Sequence, residues 1–195
     1  MNKAFALGNG TSRLEVDPSV LKQLGLVYGC NALYREFTPD VLISTDKPIS
    51  EHIQHSGYAK SNKFYTRRPL PGLGGLEIPQ KYFGFSSGPI AVGLAALDKN
   101  PVIYMIGFDL GPDLNGKFNN VYADTEFYKK SSAVPTFTGN WVRQIVQLSK
   151  DFKDCRFFRV QGNVTADIPE LKKISNFVHM PMIDFLDRIN NTKDL

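Results

Sequence analysis

A glycine-rich turn near the amino terminus is the first segment whose residue types could bind a ligand. The apolar run Lys3–Leu7 ends in Gly8-Asn9-Gly10-Thr11-Ser12, which predicts a buried strand that breaks into a tight turn. Glycine at positions 8 and 10 allows positive φ and lets a ligand approach the backbone. The hydroxyls of Thr11 and Ser12 can donate hydrogen bonds to a phosphate or ribose oxygen. A plain strand-ending turn is the alternative interpretation.

Polar residues also follow three further apolar runs, which predict buried strands. The runs are Leu26–Cys30, Val41–Thr45 and Val102–Asp109. Asn31 can contact a base or a ribose through its amide, or it can cap the segment that follows. Asp46 and Asp109 are candidate general bases, and Asp109 could instead hold a metal, a sugar hydroxyl or only the next loop. No DxD pair stands beside Asp109, so no metal site is predicted.

A serine pair opens a predicted apolar helix. Ser86, Ser87 and Gly88 precede apolar residues that recur as far as Leu97, which indicates a helix that begins at Ser86 or Ser87. The free N–H groups at such a terminus could bind an anion. Capping by serine explains the same residues, so both interpretations stay open.

The remaining segments alternate between predicted helices and strands. Helices are predicted at 18–24 behind the cap Asp17, and at 47–60, 86–97, 140–152, 169–174 and 182–189. Further strands are predicted at 63–66, 156–160 and, as an edge strand, 177–180. Apolar strands flanked by helices are typical of a parallel sheet covered on both faces. The sequence therefore predicts a Rossmann-like α/β fold, an open, mostly parallel sheet with helices on both faces, in a single domain over residues 1–195.

Two long connections are predicted beside this sheet. Residues 68–84 are rich in proline and glycine, which predicts a loop that lies over a neighbouring element. Residues 110–135 are polar and too long for a plain connection, so they are expected to form a lid or an ordered binding loop. Tyr122 and Tyr128 lie in this second loop and could donate hydrogen bonds to a phosphate, or they could only pack within the loop or lie at the surface.

The carboxyl ends of neighbouring parallel strands lie at the same edge of a sheet, where open α/β folds bind their ligands. The polar segments named above are therefore expected to converge on one rim. Hydroxyls, amides and a helix amino terminus together favour a phosphorylated nucleoside as the ligand. On this interpretation Gly10→Val is expected to abolish nucleotide binding and to leave the fold mostly intact.

Composition limits the remaining classes of protein. The chain has 195 residues, 42% of them hydrophobic, which is enough for one globular domain. No apolar run of about 18 residues and no signal-peptide stretch occurs, so no membrane span and a cytoplasmic location are predicted. Cys30 and Cys155 lack metal-site spacing and are predicted to be buried free thiols. The net charge of +4 comes without a nucleic-acid-binding motif, so no nucleic-acid partner is predicted. A homo-oligomer and a monomer both stay open.

The order of these motifs resembles that of the bacterial CMP-sialic-acid-dependent sialyltransferases with a GT-A-like fold. It also resembles the related hydroxymethylpterin diphosphokinase-like group. The resemblance spans roughly residues 3–128 and depends on Gly8-Asn9-Gly10-Thr11-Ser12, Cys30-Asn31 with Tyr34, Ser86-Ser87-Gly88 and the run 103–109. It implies that Asn9, Asn31 and Ser87 contact a CMP moiety and that Tyr122 holds its phosphate. The implied ligands are a CMP-type nucleotide or nucleotide-sugar donor, with no other cofactor, and a sugar or other hydroxyl acceptor.

The chain departs from the family's pattern at two places. The family has a catalytic histidine after its lid, whereas residues 129–141 contain none, and Leu110 and Gly111 stand where a second phosphate-binding tyrosine is expected. Two functions therefore compete. One is a nucleotide-donor-dependent, sialyltransferase-like transferase with Asp46 or Asp109 as the substitute base. The other is a catalytically inactive protein that binds a nucleotide or nucleotide-derived signal on the same rim. The long loop favours the first, and the missing histidine favours the second.

Overall fold

Short apolar runs form one sheet of eight strands. The computed structural model describes residues 2–191. The strands are β1 (Lys3–Leu7), β2 (Leu26–Cys30), β3 (Val41–Ser44), β4 (Phe64–Thr66), β5 (Leu76–Glu77), β6 (Val102–Ile106), β7 (Arg156–Gln161) and β8 (Phe177–Pro181). The central strands are buried along most of their length, as expected for parallel strands covered on both faces.

The helices connect these strands and begin and end at recognisable signals. They are α1 (Pro18–Leu24), α2 (Lys47–His55), α3 (Tyr58–Ser61), α4 (Ser87–Leu97), α5 (Gly139–Asp151), α6 (Pro169–Lys172) and α7 (Met182–Asn190). Short 3-10 helices occupy Thr11–Glu15, Asn31–Arg35 and Gln80–Tyr82. Helix α1 shows both kinds of signal. The carboxylate of Asp17 caps its amino end by accepting a hydrogen bond of 2.9 Å from the backbone N–H of Ser19, and Gly25 follows its last residue.

The strand order places a switch point between β1 and β6. From one edge to the other the order is β5-β4-β3-β2-β1-β6-β7-β8, and neighbouring strands are parallel. The chain builds outward from β1 to β5 and then returns to the other side of β1, where Leu7 pairs with Ile106. Loops diverge where the strand order reverses, and open α/β sheets bind ligands in the crevice that results.

Helices cover both faces of the sheet. Residues of α4, α5 and α6 pack on one face, and residues of α1, α2, α3 and α7 pack on the other. Strand β1 shows the alternation, because Ala4 and Ala6 face the first layer while Phe5 and Leu7 face the second. The small alanine side chains let α4 lie close to the strands, and α4 is buried from Pro89 to Ala96. The predicted Rossmann-like sheet with helices on both faces is confirmed.

Local details differ from the sequence prediction for identifiable reasons. The helix predicted at 47–60 is interrupted by Gly57, whose φ of +83° ends α2 and starts α3. The predicted loop 68–84 contains β5, which is two residues long and is held by pairing with β4. The strand predicted at 102–109 stops at Ile106, because Gly107 turns the chain with a φ of +75°.

Within residues 2–191, no helix combines the length and the apolar character needed to cross a membrane.

Candidate functional site

A cavity of about 260 Å³ lies at the carboxyl ends of β1, β2, β3 and β6. It brings together most of the residues singled out in the sequence, although they come from distant segments. These are Gly8, Asn9, Gly10, Asn31, Asp46, Ser86, Ser87, Gly88 and Asp109. Three other predicted residues, Thr11, Ser12 and Tyr122, do not line it. The rim predicted from the strand ends thus exists as one concave surface.

A buried hydroxyl network fixes the amide of Asn31. Its Oδ1 accepts hydrogen bonds from Ser44 Oγ at 3.0 Å and Ser87 Oγ at 3.1 Å. Ser87 Oγ also accepts from the backbone N–H of Thr45 at 3.0 Å. Asn31 has a φ of +53°, a backbone region that asparagine tolerates better than most residues. Because its Oδ1 is occupied and Nδ2 bonds to none of residues 2–191, the two Nδ2 hydrogens remain for a ligand.

Asn9 brings an acceptor to the same cavity. Its side-chain Nδ2 donates to the backbone carbonyl of Cys30 at 3.4 Å. Its Oδ1 is buried and has no hydrogen-bond partner among the described residues. A buried carbonyl oxygen without a partner costs free energy, so a ligand hydroxyl or amino group that reached it would be favoured.

Helix α4 begins at the wall of the cavity without a side-chain cap. The residue that precedes it, Ser86, uses its hydroxyl to accept a hydrogen bond of 2.9 Å from Trp141 Nε1. Ser87 and Gly88 form the first turn and line the cavity, and Pro89 has no N–H group. The amino end of a helix carries partial positive charge and free N–H donors, so this wall favours an anionic group.

Arg67 and Trp141 complete the cavity, and sequence reasoning did not assign either residue to the site. Arg67 donates from Nε to the carbonyl of Phe83 and from Nη2 to that of Phe85, both at 2.6 Å. It is the one cationic side chain among the described residues that line the cavity. Trp141, the single tryptophan of the chain, is held by its bond to Ser86. The only sequence signal for Arg67 is that it lies in a basic cluster with Lys60, Lys63 and Arg68.

The two glycines of the first turn are needed for packing and not for positive φ. Gly10 has a φ of −63°, and Gly8 is not among the positive-φ residues, so neither residue uses the positive φ that glycine allows. A Cβ atom on Gly8 would lie 2.6 Å from the carbonyl oxygen of Gly107, and one on Gly10 would lie 2.7 Å from the same oxygen and would also clash with the carboxylate of Asp109. The glycines therefore let the turn after β1 pack against the loop after β6.

Asp109 holds this junction together. Its Oδ2 accepts from Ser12 N and Asn119 Nδ2, both at 3.1 Å. Its Oδ1 accepts from Thr165 Oγ1 at 3.1 Å and from Ser12 Oγ. The residue is 2% exposed. Because each oxygen already accepts two hydrogen bonds, this geometry assigns Asp109 an anchoring role and leaves no free lone pair for a general base. No group of three or more candidate metal ligands occurs among residues 2–191.

A buried arginine supports the same loop from β7. Arg159 is 0% exposed and donates to the backbone carbonyls of Phe108, Asp109 and Ala166, each at 2.9 Å. Burial lowers the pKa of Arg159 to about 10, against the opposing effect of Asp109, so it remains a cation at neutral pH. Charge-assisted hydrogen bonds of this kind are strong. They fix the backbone that carries Asp109 and lines the cavity.

The loop predicted at 110–135 is tied to the turns after β1 and β2. Asn119 Oδ1 accepts from the backbone N–H and the hydroxyl of Thr11, both at 2.9 Å. Tyr128 accepts from the N–H of Ala32 at 3.2 Å. Residues 107–138 contain neither helix nor strand. Asn119 and Asn120 line the cavity, so this loop forms one of its walls.

Tyr122 lies within that loop but contributes to a different contact. Its hydroxyl donates to Glu36 Oε1 at 2.6 Å and accepts from Arg13 Nη2 at 3.1 Å. Burial raises the pKa of Tyr122 far above its usual value, so the hydroxyl stays protonated. Its hydrogen-bonding capacity is used by Glu36 and Arg13, outside the cavity, and the geometry does not support a contact with a phosphate there.

Glu36→Gln is expected to reduce stability at neutral pH and to have little effect in acid. Burial raises the pKa of Glu36, but hydrogen bonds from Tyr122 and Arg13 outweigh it and hold the pKa below the usual value. A carboxylate with a lowered folded-state pKa stabilises the protein above its unfolded-state pKa, and this stabilisation is lost as pH falls through the folded-state value. Urea unfolding of both proteins at about pH 7 and about pH 3 measures the difference. An equal difference at both values would contradict the ion pair.

The comparison with solved structures bears on the fold. No protein-family model matches the chain, and no curated protein matches it. The sialyltransferase CstII from Campylobacter jejuni, in complex with the substrate analogue cytidine-5'-monophosphate, superposes with a TM-score of 0.54 at 14% identity, over 92% of this chain and 85% of that chain. The complex of CstII with the substrate analogue CMP-3FNeuAc superposes with a TM-score of 0.54 at 14% identity, over 100% of both chains. The chain therefore has a sialyltransferase-like fold. The resemblance to the hydroxymethylpterin diphosphokinase-like group is not supported.

Proposed function

We propose that the chain binds a CMP-type nucleotide in the cavity and transfers a sugar from a CMP-activated donor to a hydroxyl acceptor. The observation that carries this proposal is the pair of asparagines at the strand ends. Asn31 presents two N–H donors because Ser44 and Ser87 occupy its Oδ1, and Asn9 presents an unpaired acceptor. Donors and an acceptor in one concave site suit the edge of a base or the hydroxyls of a ribose.

The phosphate of such a nucleotide has a favourable environment at one end of the cavity. The uncapped first turn of α4 supplies N–H groups and partial positive charge. Arg67, fixed by the carbonyls of Phe83 and Phe85, supplies a full charge. These groups favour a phosphate over a neutral ligand, and they supply the positive charge without the need for a metal ion. The fold likeness to CstII, which binds cytidine-5'-monophosphate, points to the same ligand class.

The single tryptophan gives a direct test of this proposal. Trp141 lines the cavity, so a nucleotide that binds there is expected to change its fluorescence. Titration with CMP, cytidine, UMP and AMP should give saturable curves, with CMP the tightest and cytidine weaker for lack of a phosphate. A thermal stability that rises with CMP concentration would confirm binding to the folded state. No change with any of the four ligands would exclude a nucleotide site.

Asn31→Asp is expected to weaken CMP binding by about 5- to 150-fold, equivalent to 1–3 kcal/mol for a lost buried hydrogen bond. Aspartate tolerates the same backbone conformation and still accepts from Ser44 and Ser87, but it removes the N–H donors. Fluorescence titration gives the dissociation constants. Asn115→Asp, in an exposed part of the long loop, is the matched control. Equal affinities for wild type and Asn31→Asp would contradict the proposed contact.

A base near the acceptor hydroxyl accelerates sugar transfer. In the proposed step the hydroxyl oxygen bonds to the anomeric carbon of the donor. The bond from that carbon to the phosphate oxygen breaks, CMP leaves with the bonding electrons, and the hydroxyl proton passes to a carboxylate. Asp46 is exposed, lines the cavity and does not cap α2, so its oxygens are free for this role. The proton acceptor proposed here is therefore Asp46.

A catalytically inactive nucleotide-binding protein is the second candidate function. Two observations favour it. The carboxylate of Asp109 is saturated by hydrogen bonds, and none of the three histidines of the chain lines the cavity. Release of CMP from a CMP-sugar in the presence of an acceptor distinguishes the two functions. Binding of CMP without any such release would favour the inactive protein.

A further inference from the structure

We propose that a smaller cavity beside the first binds the acceptor, and that this acceptor carries an anionic group, a carboxylate or a phosphate. The inference depends on the proposed transfer function and specifies its second substrate. The smaller cavity has a volume of about 190 Å³. Its lining residues are Thr45, Asp46, Lys47, Ser50, Glu51, Thr66, Arg67 and Arg68.

The two cavities meet at shared residues. Thr45, Asp46 and Arg67 line both of them. A molecule in the smaller cavity would therefore lie next to a nucleotide-sugar in the larger one. Asp46, the proposed proton acceptor, stands at the junction, where the acceptor hydroxyl and the donor carbon must meet. Two ligands held against each other in this way react more readily than they do in solution.

The charge of the smaller cavity favours an anion. Its three lining cations, Lys47, Arg67 and Arg68, outnumber its two lining carboxylates, Asp46 and Glu51. Lys47 is paired with Glu51 at 3.8 Å in an exposed contact, which contributes little. The side chain of Arg68 makes no hydrogen bond or ion pair within residues 2–191. Because an arginine guanidinium matches carboxylate and phosphate geometry with two parallel hydrogen bonds, Arg68 is the residue assigned to the anionic group.

A buried polar network holds the backbone that presents Arg68. Gln54, 0% exposed, donates from Nε2 to the carbonyl of Arg68 at 3.2 Å and accepts from the N–H of Leu70 at 2.7 Å. Ser50 and Thr66 share a hydroxyl hydrogen bond of 2.6 Å at the base of the cavity. None of these bonds belongs to the nucleotide cavity. They keep one wall of the smaller cavity rigid, which favours binding because less conformational freedom is lost.

The first experiment measures anion binding apart from catalysis. The protein is saturated with CMP, and inorganic phosphate is then titrated and followed by backbone amide NMR shifts. Phosphate is expected to shift residues around Arg68 without displacing CMP. Arg68→Gln is expected to weaken this binding at least tenfold, whereas Lys153→Gln, an exposed lysine before β7, should not change it. Phosphate that only displaces CMP, or binds equally to the Arg68→Gln protein, would overturn the inference.

The second experiment tests the acceptor class and separates the inference from the proposed function. CMP release from CMP-NeuAc is measured with methyl β-galactoside, the corresponding galacturonide and the galactoside 6-phosphate. One of the two charged acceptors is expected to give a kcat/KM at least tenfold above that of the neutral acceptor. The acceptor with the higher kcat/KM shows whether the anionic group is a carboxylate or a phosphate. Arg68→Gln should remove that preference. Equal rates for all three acceptors would overturn the inference while the transfer function stood. CMP binding without release from any mixture would instead overturn the transfer function.

Discussion

Asp109→Asn is expected to lower the free energy of unfolding by about 3–5 kcal/mol. The carboxylate accepts four hydrogen bonds from Ser12, Asn119 and Thr165 and is 2% exposed. An asparagine of the same shape would turn an NH₂ group toward donors that need an acceptor. At least one buried donor would lose its partner, and the carboxylate charge near Arg159 would be removed.

Urea unfolding of the wild type and the variant measures this loss of stability. Asp46→Asn is the matched control, because it removes an exposed carboxylate at the same cavity. Asp46 does not cap α2, so its replacement should change stability by no more than about 0.5 kcal/mol. Similar losses for the two variants would mean that the hydrogen bonds of Asp109 are not a major source of stability.

The anchoring role of Asp109 explains how the cavity keeps its shape without a ligand. The turn after β1 is joined to the loop after β6 by backbone hydrogen bonds, from Gly8 N to Ile106 O at 2.8 Å and from Gly10 N to Gly107 O at 2.9 Å. Asp109 then connects that loop to the wall formed by Asn119. The walls of the cavity are therefore fixed by buried polar contacts. Binding of a ligand would therefore cost little conformational free energy for ordering these walls.

The fold was predictable because its signals are local. Unbroken apolar runs such as Val102–Ile106 indicate strands buried on both faces, and the caps and breakers between them delimit helices. The general position of the site followed from one rule about parallel sheets, that ligands bind at the carboxyl ends of the strands. That rule needs only the strand ends and the helix starts at the same edge of the sheet, so Asn9, Asn31 and Ser87 could be placed together from the sequence.

The parts that were not predictable depend on contacts between distant segments. A glycine in a turn looks the same whether it needs positive φ or only close packing, and Gly8 and Gly10 proved to be of the second kind. Gly10→Val is accordingly expected to disturb the fold as well as any ligand, contrary to the sequence expectation. The position of Arg67 depends on the carbonyls of Phe83 and Phe85, which local sequence does not reveal.

Asp46→Asn is expected to reduce the rate of sugar transfer by about 10²- to 10⁴-fold, the usual contribution of a general base. CMP affinity should stay the same within a factor of about three, because the asparagines, α4 and Arg67 supply the nucleotide contacts. The argument is geometric. Asp46 lines both cavities, and unlike the carboxylate of Asp109 its oxygens accept no hydrogen bond from the described residues.

The measurement is CMP release at saturating donor and acceptor, with fluorescence titration of CMP on the same preparations. Asp154→Asn, an exposed carboxylate just before β7, should keep the full rate. Asp46→Glu should recover part of the activity, because its carboxylate can still reach the junction of the two cavities. A wild-type rate in the Asp46→Asn protein would mean that the proton leaves by another route, and the geometry would then favour direct transfer to solvent or to a phosphate oxygen of the donor. Loss of turnover with unchanged CMP binding would support Asp46 as the proton acceptor, since an interaction made only in the transition state affects the rate and not ground-state affinity.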